Sequence, residues 1–223
     1  MTRLLILRPQ TGADETAARA EALGLEPVVA PLFTVRPIAW EVPEGPFDAL
    51  LLTSANGARF GLRPELGGLP CYAVGEATAE AARKAGAAHV MAGTSDGAAA
   101  VDLMAEAGVR QALHLCGREH IPLTHPEMRI ERRIVYAAEP VPRLPAEAAA
   151  ALLGGAVALL HSPRAAAVFA GLVADRTGIR IAAISQAAAD AAGSGWSAVH
   201  IAERPRDDAL LELAVRLCNT AAD

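Results

Sequence analysis

The chain contains two similar stretches, and this near-repeat restricts its fold more than any other feature. Residues 49–60 and 158–169 each begin with an apolar run, reach a serine and continue with alanine-rich sequence. Short apolar runs are typical of buried strands, and alanine-rich continuations favour helix. The segments 71–79 and 181–189 that follow also resemble one another. Two copies of one supersecondary unit predict two similar α/β lobes with parallel sheets, although chance similarity between alanine-rich segments is the alternative.

The most distinctive turn of the repeat follows the apolar run 71–74. Gly75 lacks a Cβ, so the backbone there can bend sharply or lie close to a ligand. A helix predicted over 76–85 begins at this glycine, and its first turn leaves N–H groups without intrahelical partners. Such groups suit carboxylate or phosphate oxygens, and Thr78 adds a hydroxyl. This turn is therefore a candidate anion-binding site.

Two extended, proline-containing segments, 31–40 and 139–145, interrupt the alternation of strands and helices. Proline disfavours helix at these places, so both segments are predicted to be connectors. A discontinuous first lobe with the second lobe inserted into it explains why there are two connectors. Two simple tandem halves are the competing organisation. The predicted bounds are 1–35 plus 142–223 for the first lobe, 40–135 for the second, and 34–40 and 136–142 for the connecting strands.

Composition limits the class of protein. With 223 residues and 52% hydrophobic content, the chain is long enough to bury a sizeable core. No apolar run approaches the ~20 residues of a membrane span, and the first residues look like a strand rather than a signal peptide. The three cysteines show no metal or disulfide spacing, which favours a reducing cytoplasm. A net charge of −5 argues against a nucleic-acid surface. We therefore expect a cytoplasmic protein with neither a nucleic-acid nor a membrane partner.

Several short motifs, taken in order, resemble those of the uroporphyrinogen-III synthase family. They are Leu-Arg-Pro at 7–9, Phe-Asp-Ala-Leu-Leu-Leu-Thr-Ser-Ala-Asn at 47–56, Tyr-Ala-Val-Gly-Glu-Ala-Thr-Ala at 72–79, Gly-Arg at 117–118, Val-Tyr at 135–136, Leu-His-Ser-Pro-Arg-Ala at 160–165 and Arg-Pro-Arg-Asp-Asp-Ala-Leu at 204–210. Their order and spacing carry the resemblance more than any single motif. The resemblance implies two α/β lobes joined by a two-strand connector, with the second lobe inserted in the first.

The resemblance also implies an activity. It is the cyclisation and dehydration of hydroxymethylbilane to uroporphyrinogen III, with inversion of the last pyrrole ring, in tetrapyrrole biosynthesis. A hydro-lyase of this kind is expected to need no cofactor and no metal. It is expected to act as a monomer, with hand-over of its substrate from hydroxymethylbilane synthase as a further expectation. Helix N-termini and small hydroxyl residues suit the many carboxylates of this substrate without a strongly basic protein.

The resemblance assigns roles to individual residues. Tyr136 matches the family's tyrosine and is the candidate general acid for the departing hydroxyl; the alternative is a tyrosine that only packs in the connector. Substrate-binding roles fall on Arg8, Ser54, Asn56, Gly75, Thr78, Ser95, Gly117, Arg118, Ser162, Pro163, Arg164, Ser185, Gln186 and Ala187. The serines are equally well explained as helix caps, and the arginines as surface residues. Ser95 and Asp96 are predicted to cap the following helix, and His161 is interpreted as a structural residue.

One segment departs from the family pattern. Residues 184–189 lack the glycine and threonine that the motif usually shows in the first lobe, and Ala188 offers no hydroxyl. Ser185 and the backbone N–H groups of Gln186 and Ala187 are predicted to bind a carboxylate instead.

Two other function classes compete with this interpretation. One is a non-catalytic two-lobe module that binds a small polycarboxylate or other anion. The other is an enzyme with a different reaction on a doubly wound fold, since fold does not determine function. A dinucleotide-binding enzyme is disfavoured because no Gly-x-Gly-x-x-Gly follows the first strand, and a receiver domain because that strand does not end in an acidic pair.

Overall fold

The computed structural model describes residues 3–10, 12–93 and 96–219. The strands, in chain order, are β1 (Arg3–Ile6), β2 (Glu26–Val29), β3 (Phe33–Pro37), β4 (Ala49–Leu52), β5 (Pro70–Val74), β6 (His89–Gly93), β7 (Gln111–Gly117), β8 (Arg129–Pro140), β9 (Val157–Leu160), β10 (Arg180–Ala183) and β11 (Ala198–Ile201). The helices are α1 (Gly12–Ala22), α2 (Ala55–Gly61), α3 (Glu76–Lys84), α4 (Gly97–Glu106), α5 (Ala146–Leu153), α6 (Pro163–Leu172), α7 (Gln186–Ala192) and α8 (Asp207–Asn219), with a short 3-10 turn at Pro64–Leu66. The chain divides into a first compact unit, Met1–Thr34 with Glu139–Asp223, and a second compact unit, Val35–Ala138.

The first unit is built on a sheet with the strand order β11-β10-β9-β1-β2, in which every neighbouring pair is parallel. Its central strands are buried on both faces, as in a sheet covered by helices. Leu4 and Ile6 of β1 are fully buried and belong to a cluster with Leu210 and Ala214 of α8. The chain changes direction across the sheet between β1 and β9, so the carboxyl ends of these two strands form a topological switch point.

The second unit repeats this arrangement. Its sheet has the order β3-β8-β7-β4-β5-β6, and the parallel strands β8-β7-β4-β5-β6 follow the same order as β2-β1-β9-β10-β11. All residues of β4 are buried, which explains the unbroken apolar run in the sequence. The switch point here lies between β4 and β7. The α/β class with two similar parallel-sheet units is thereby confirmed.

The proline-containing connectors belong largely to strands. β8 is one strand that continues through Pro140, although the sequence predicts a strand over 129–136 and a separate connector from 139. It pairs with β3 at the edge of the second sheet, where the Ile38 N–H donates to the Val135 carbonyl over 2.9 Å. Val135 and Ala137 are both buried, so the inward-facing alternation extends beyond the predicted end of the strand.

Candidate active site

A cavity of about 800 Å³ lies in the second unit at the carboxyl ends of β4 and β7. Open α/β sheets bind ligands at such a switch point. The polar side chains of its lining are those of Thr53, Ser54, Asp96, Glu119, His120 and Tyr136. The backbone at 118–128, which is irregular, contributes part of the wall. This cavity is the candidate active site.

A β-bulge aims Tyr136 into the cavity. The parallel register between β7 and β8 shifts by one residue, so that Cys116 pairs with Ile134 but Gly117 pairs with Tyr136. A Cβ at position 117 would lie 2.7 Å from the Cζ atom of the Tyr136 ring, so only glycine leaves room for this ring. The phenol also contacts Phe60 with a centroid separation of 6.3 Å. Glycine and bulge together fix the position of the hydroxyl.

The environment of Tyr136 keeps its hydroxyl protonated. Burial raises its pKa above the ordinary value of 10.0, and the negative charges that Cys116 and Glu119 can carry act in the same direction. A hydrogen bond with the Ser54 side chain opposes the shift without cancelling it. At neutral pH the side chain is therefore a phenol that can donate a proton.

A buried histidine contacts one of the residues that line the cavity. His114 of β7 is fully buried, and its Nε2 atom lies 3.1 Å from the Thr53 hydroxyl oxygen. Burial lowers the pKa of this imidazole to about 4, and the positive charges of His120 and Arg132 contribute further. His114 is therefore neutral at physiological pH, and it orients Thr53 at the cavity wall.

The structure brings some of the predicted second-unit residues together and leaves others apart. Ser54, Gly117 and Tyr136 line the cavity. The predicted residues outside that lining are Asn56, Gly75, Thr78 and Arg118, and Ser95 lies outside the described residues. Thr78 is only 5% exposed, because it lies on the inward side of α3. Gly75 is the N-cap residue of α3, with φ +77°, and no side chain caps this helix.

The sequence-based prediction of substrate contacts does not include four polar residues of the cavity: Thr53, Asp96, Glu119 and His120. All four are within three positions of a predicted residue, since Thr53 precedes Ser54, Asp96 follows Ser95, and the other two follow Gly117. Asp96 was predicted only as a cap. It does cap α4, because its Oδ1 atom accepts from the Ala99 N–H over 3.0 Å. A strand end followed by several polar residues was the available indication.

The serines act as helix caps. The hydroxyl oxygen of Ser54 accepts from the Asn56 N–H over 3.3 Å. Ser162 caps α6 and Ser185 caps α7 in the same way, with distances of 3.1 Å and 3.3 Å. Each hydroxyl oxygen therefore has a local partner, as the capping alternative predicts.

The switch point of the first unit holds a hydrogen-bonded cluster centred on Asp207, which we call the Asp207 cluster. Its Oδ1 atom lies 2.9 Å from the Thr16 hydroxyl, 2.9 Å from His161 Nε2 and 3.4 Å from Arg8 Nη1. Arg19 Nη2 lies 2.8 Å from the other oxygen. Burial would raise the pKa of this carboxyl, but the hydrogen bonds from His161 and Thr16 and the nearby positive charges outweigh it and lower the pKa. Arg8, a predicted substrate contact, is thus paired within its own unit.

The other predicted residues of the first unit lie at helix starts. Pro163 is the first residue of α6, and the Arg164 guanidinium carbon lies 4.6 Å from the centroid of the Phe33 ring. Gln186 donates to Asp190 over 2.7 Å, and Ala187 is exposed. Ala188, the position of the absent threonine, is fully buried.

Two kinds of site are absent from the part of the chain that the structure describes. Across residues 3–10, 12–93 and 96–219, His, Cys, Asp and Glu form no group of three or more that could hold a metal ion. Over the same ranges, the model contains no helix with the length and apolar character that crossing a membrane requires.

Comparisons with known proteins agree with this architecture. The family model described as uroporphyrinogen-III synthase HemD matches residues 14–212. The crystal structure of uroporphyrinogen-III synthetase from Helicobacter pylori is 17% identical, with a TM-score of 0.63 over 97% of this chain and 100% of the other. Uroporphyrinogen III synthase from the extremely thermophilic bacterium Thermus thermophilus is 20% identical, with a TM-score of 0.45 over 100% of both chains. No match was found among curated proteins. Because the family model covers most of its length, the chain belongs to the uroporphyrinogen-III synthase family.

Proposed function

We propose that this chain converts hydroxymethylbilane to uroporphyrinogen III, closing the linear tetrapyrrole with loss of water and inversion of its last ring. The observation that carries this proposal is the family match over residues 14–212. The cavity of about 800 Å³ is large enough to take the reacting end of such a substrate. In reaction class the protein is then a hydro-lyase of tetrapyrrole biosynthesis.

We propose that Tyr136 is the general acid. Its phenol lines the cavity and is held protonated there, as a donor to a departing hydroxyl requires. Proton transfer to the hydroxymethyl oxygen breaks the C–O bond and releases water. The pyrrole nitrogen supplies the electrons, which leaves a cationic azafulvene. The substituted α-carbon of the last ring attacks the azafulvene and gives a spiro intermediate, and the bond from this carbon to its original methylene bridge then breaks. That methylene bonds to the free α-carbon of the same ring, which inverts the ring. Each attacking carbon must be held at the correct distance, so positioning contributes much of the rate.

The charges of the cavity suit a cation at its centre. Asp96 and Glu119 line it, and the described lining contains neither lysine nor arginine. Preorganised negative charge stabilises a cation that develops in the transition state. Pyrrole N–H groups are donors, so they also match carboxylate acceptors. We therefore assign the cavity to the pyrrole rings rather than to the carboxylates of the substrate.

We assign the substrate carboxylates to the predicted binding residues at strand and helix ends. In the second unit these are the turn at Gly75 with the first N–H groups of α3, together with Asn56, Thr78, Ser95 and Arg118. In the first unit they are Arg8, Ser162, Pro163, Arg164, Ser185, Gln186 and Ala187. Unpaired N–H groups of a helix start favour an anion without a basic side chain. Because Thr78 is 5% exposed, we assign the main contact of its turn to the backbone.

The proposal also covers the oligomeric state, the location and the substrate supply of the protein. We propose a monomer in the cytoplasm that receives hydroxymethylbilane from the synthase preceding it. Because hydroxymethylbilane is unstable and cyclises by itself to isomer I, hand-over would limit the loss of substrate.

Isomer analysis tests the proposed function. Purified protein is incubated with enzymatically generated hydroxymethylbilane, and the uroporphyrin isomers are resolved after oxidation. We expect isomer III in place of the spontaneous isomer I. A protein that only binds polycarboxylates would leave isomer I as the product even at concentrations equal to the substrate, and this result would refute the proposal.

A further inference from the structure

The irregular segment 118–128 brings a histidine to the cavity beside the tyrosine. His120 is half-buried and lines the cavity together with Tyr136. Both side chains flank Gly117: the Nδ1 atom of His120 lies 2.9 Å from its carbonyl oxygen, and a Cβ on this glycine would lie 2.9 Å from the Tyr136 hydroxyl. Two groups that can transfer protons therefore meet at the end of β7.

The contact with Gly117 determines the tautomer of His120. A backbone carbonyl can only accept a hydrogen bond, so Nδ1 carries the hydrogen in this contact. In the neutral ring the lone pair then belongs to Nε2. Within the part of the chain that the structure describes, Nε2 has no hydrogen-bond partner. Neutral His120 is thus oriented to accept a proton at Nε2.

The proposed reaction needs such an acceptor. One proton enters when the hydroxyl leaves as water and the C–O bond breaks. One proton must leave later, when the pyrrole carbon that has formed the last ring-closing C–C bond loses its hydrogen. The electrons of that C–H bond return to the ring and restore its aromaticity. Proton donation and proton removal therefore occur at different carbons of the substrate.

We propose that His120 is the catalytic base that removes this last proton, an inference that rests on the proposed function of the chain. The C–H proton passes to Nε2 and leaves an imidazolium ion. The tyrosinate formed when Tyr136 protonated the leaving hydroxyl then regains a proton, and the imidazolium ion loses one, so that neither residue is consumed. The donor and the base both lie next to Gly117 in the wall of the cavity.

Several titratable or charged side chains lie near His120. The titratable or charged side chains around this corner are His114 and Cys116 of β7, Arg132 and Tyr136 of β8, Asp96 before α4, and Glu119 in the same segment. The His114 ring lies 6.1 Å from that of His120, but burial lowers its pKa to about 4. The pKa of Tyr136 is raised above 10.0. Neither of these two groups therefore changes charge between about pH 6 and pH 9.

The variant His120→Asn tests the proposal. An asparagine amide can take the place of Nδ1 and keep the bond to Gly117, but it has no basic nitrogen. We expect kcat for isomer III to fall about 100-fold with little change in KM, as for the loss of a general base.

An isotope effect separates a chemical role from a structural one. The substrate is prepared with deuterium at the free α-carbon of its terminal ring. If His120 removes this hydrogen, His120→Asn makes the step rate-limiting, and the ratio of rates for ordinary and deuterated substrate becomes larger than in the wild type. His89→Gln, which changes an exposed histidine of β6, is the matched control and should behave as wild type.

Specific outcomes would overturn the inference. If kcat of the His120→Asn enzyme is within about twofold of wild type, His120 is not the base. A slower variant whose isotope effect matches that of wild type has lost only structure. Isomer I alone from the wild-type protein would instead refute the proposed function, and this inference with it.

Discussion

The two units share one strand order but use their switch points differently. In the first unit, the carboxyl ends of β1 and β9 meet at the Asp207 cluster, in which a carboxylate that is 13% exposed binds a threonine, a histidine and two arginines. In the second unit, the ends of β4 and β7 open onto a cavity of about 800 Å³ with Tyr136 in its wall. In the first corner the polar side chains bind one another, whereas in the second they line a cavity.

The segment that follows the switch-point strand explains this difference. After β1 the chain forms α1, which supplies Thr16 and Arg19 to Asp207. After β7 the chain at 118–128 forms no helix and contributes Glu119 and His120 to the cavity. Fold symmetry therefore does not imply functional symmetry, because a connection between strands decides whether the corner is filled.

The largest effect that tests this contrast is expected from Asp207→Ala. Removing this carboxylate leaves Arg8, Arg19 and His161 without their shared partner, so the free energy of unfolding should fall by about 3 kcal/mol. Asp208→Ala, at a neighbouring carboxylate that is 46% exposed, should cost less than about 1 kcal/mol. Urea denaturation followed by circular dichroism measures both. Equal losses would show that the cluster does not anchor the first unit.

Acid should affect the two units at different pH values. His114 has an ordinary pKa of 6.5 when unfolded and about 4 when folded, so the unfolded state binds the proton first as the pH falls. Stability should therefore drop between pH 6.5 and about 4, by up to about 3 kcal/mol. The stabilisation from Asp207 is present above its ordinary pKa of 3.8 and is lost only below it, as the pH falls through the lowered folded-state pKa.

The substitution His114→Gln checks this assignment. The variant should lose most of the dependence of unfolding free energy on pH between 6.5 and about 4, whatever its stability at neutral pH. His200→Gln, at an exposed position of β11, serves as the control and should keep the wild-type slope. An unchanged slope in His114→Gln would assign the acid sensitivity to other groups.

The sequence predicts the frame of both units but not the contrast between them. The sequence predicts strands such as β4 and β9 because parallel strands buried on both faces consist of continuous apolar residues. Ser54 and Ser162 indicate the helix starts that follow these strands. These signals are local. The Asp207 cluster joins residues separated by up to 199 positions, and the pKa of His114 depends on burial that only the fold creates. Tyr136 is identified through the family resemblance. His120 is indicated only by its place among the polar residues after β7, which does not distinguish it from its neighbours.

If the open corner is where catalysis occurs, Tyr136→Phe should affect activity and leave the fold intact. We expect kcat to fall about 100-fold, near the lower limit for a lost general acid, because a hydroxyl leaves readily from an electron-rich pyrrole. KM should change little, since the proton is transferred mainly in the transition state. Tyr72→Phe, at a buried tyrosine of β5, is the matched control and should retain activity. A Tyr136→Phe enzyme within about twofold of wild type would exclude this residue as the donor.

The smallest expected effect compares the equivalent turns before α3 and α7. Gly75 has φ +77° and ψ 155°, a region that is almost restricted to glycine, whereas Ser185 has an extended backbone with φ −157°. Gly75→Ser should therefore lower the free energy of unfolding by about 2 kcal/mol through backbone strain alone, because no atom of the described residues would lie within 4 Å of the new Cβ. Ser185→Gly should cost only about 0.3 kcal/mol, since glycine is tolerated at an N-cap. If the two variants were equally stable, the backbone at position 75 would not require glycine. The proposed carboxylate contact at this turn would then lose its structural basis.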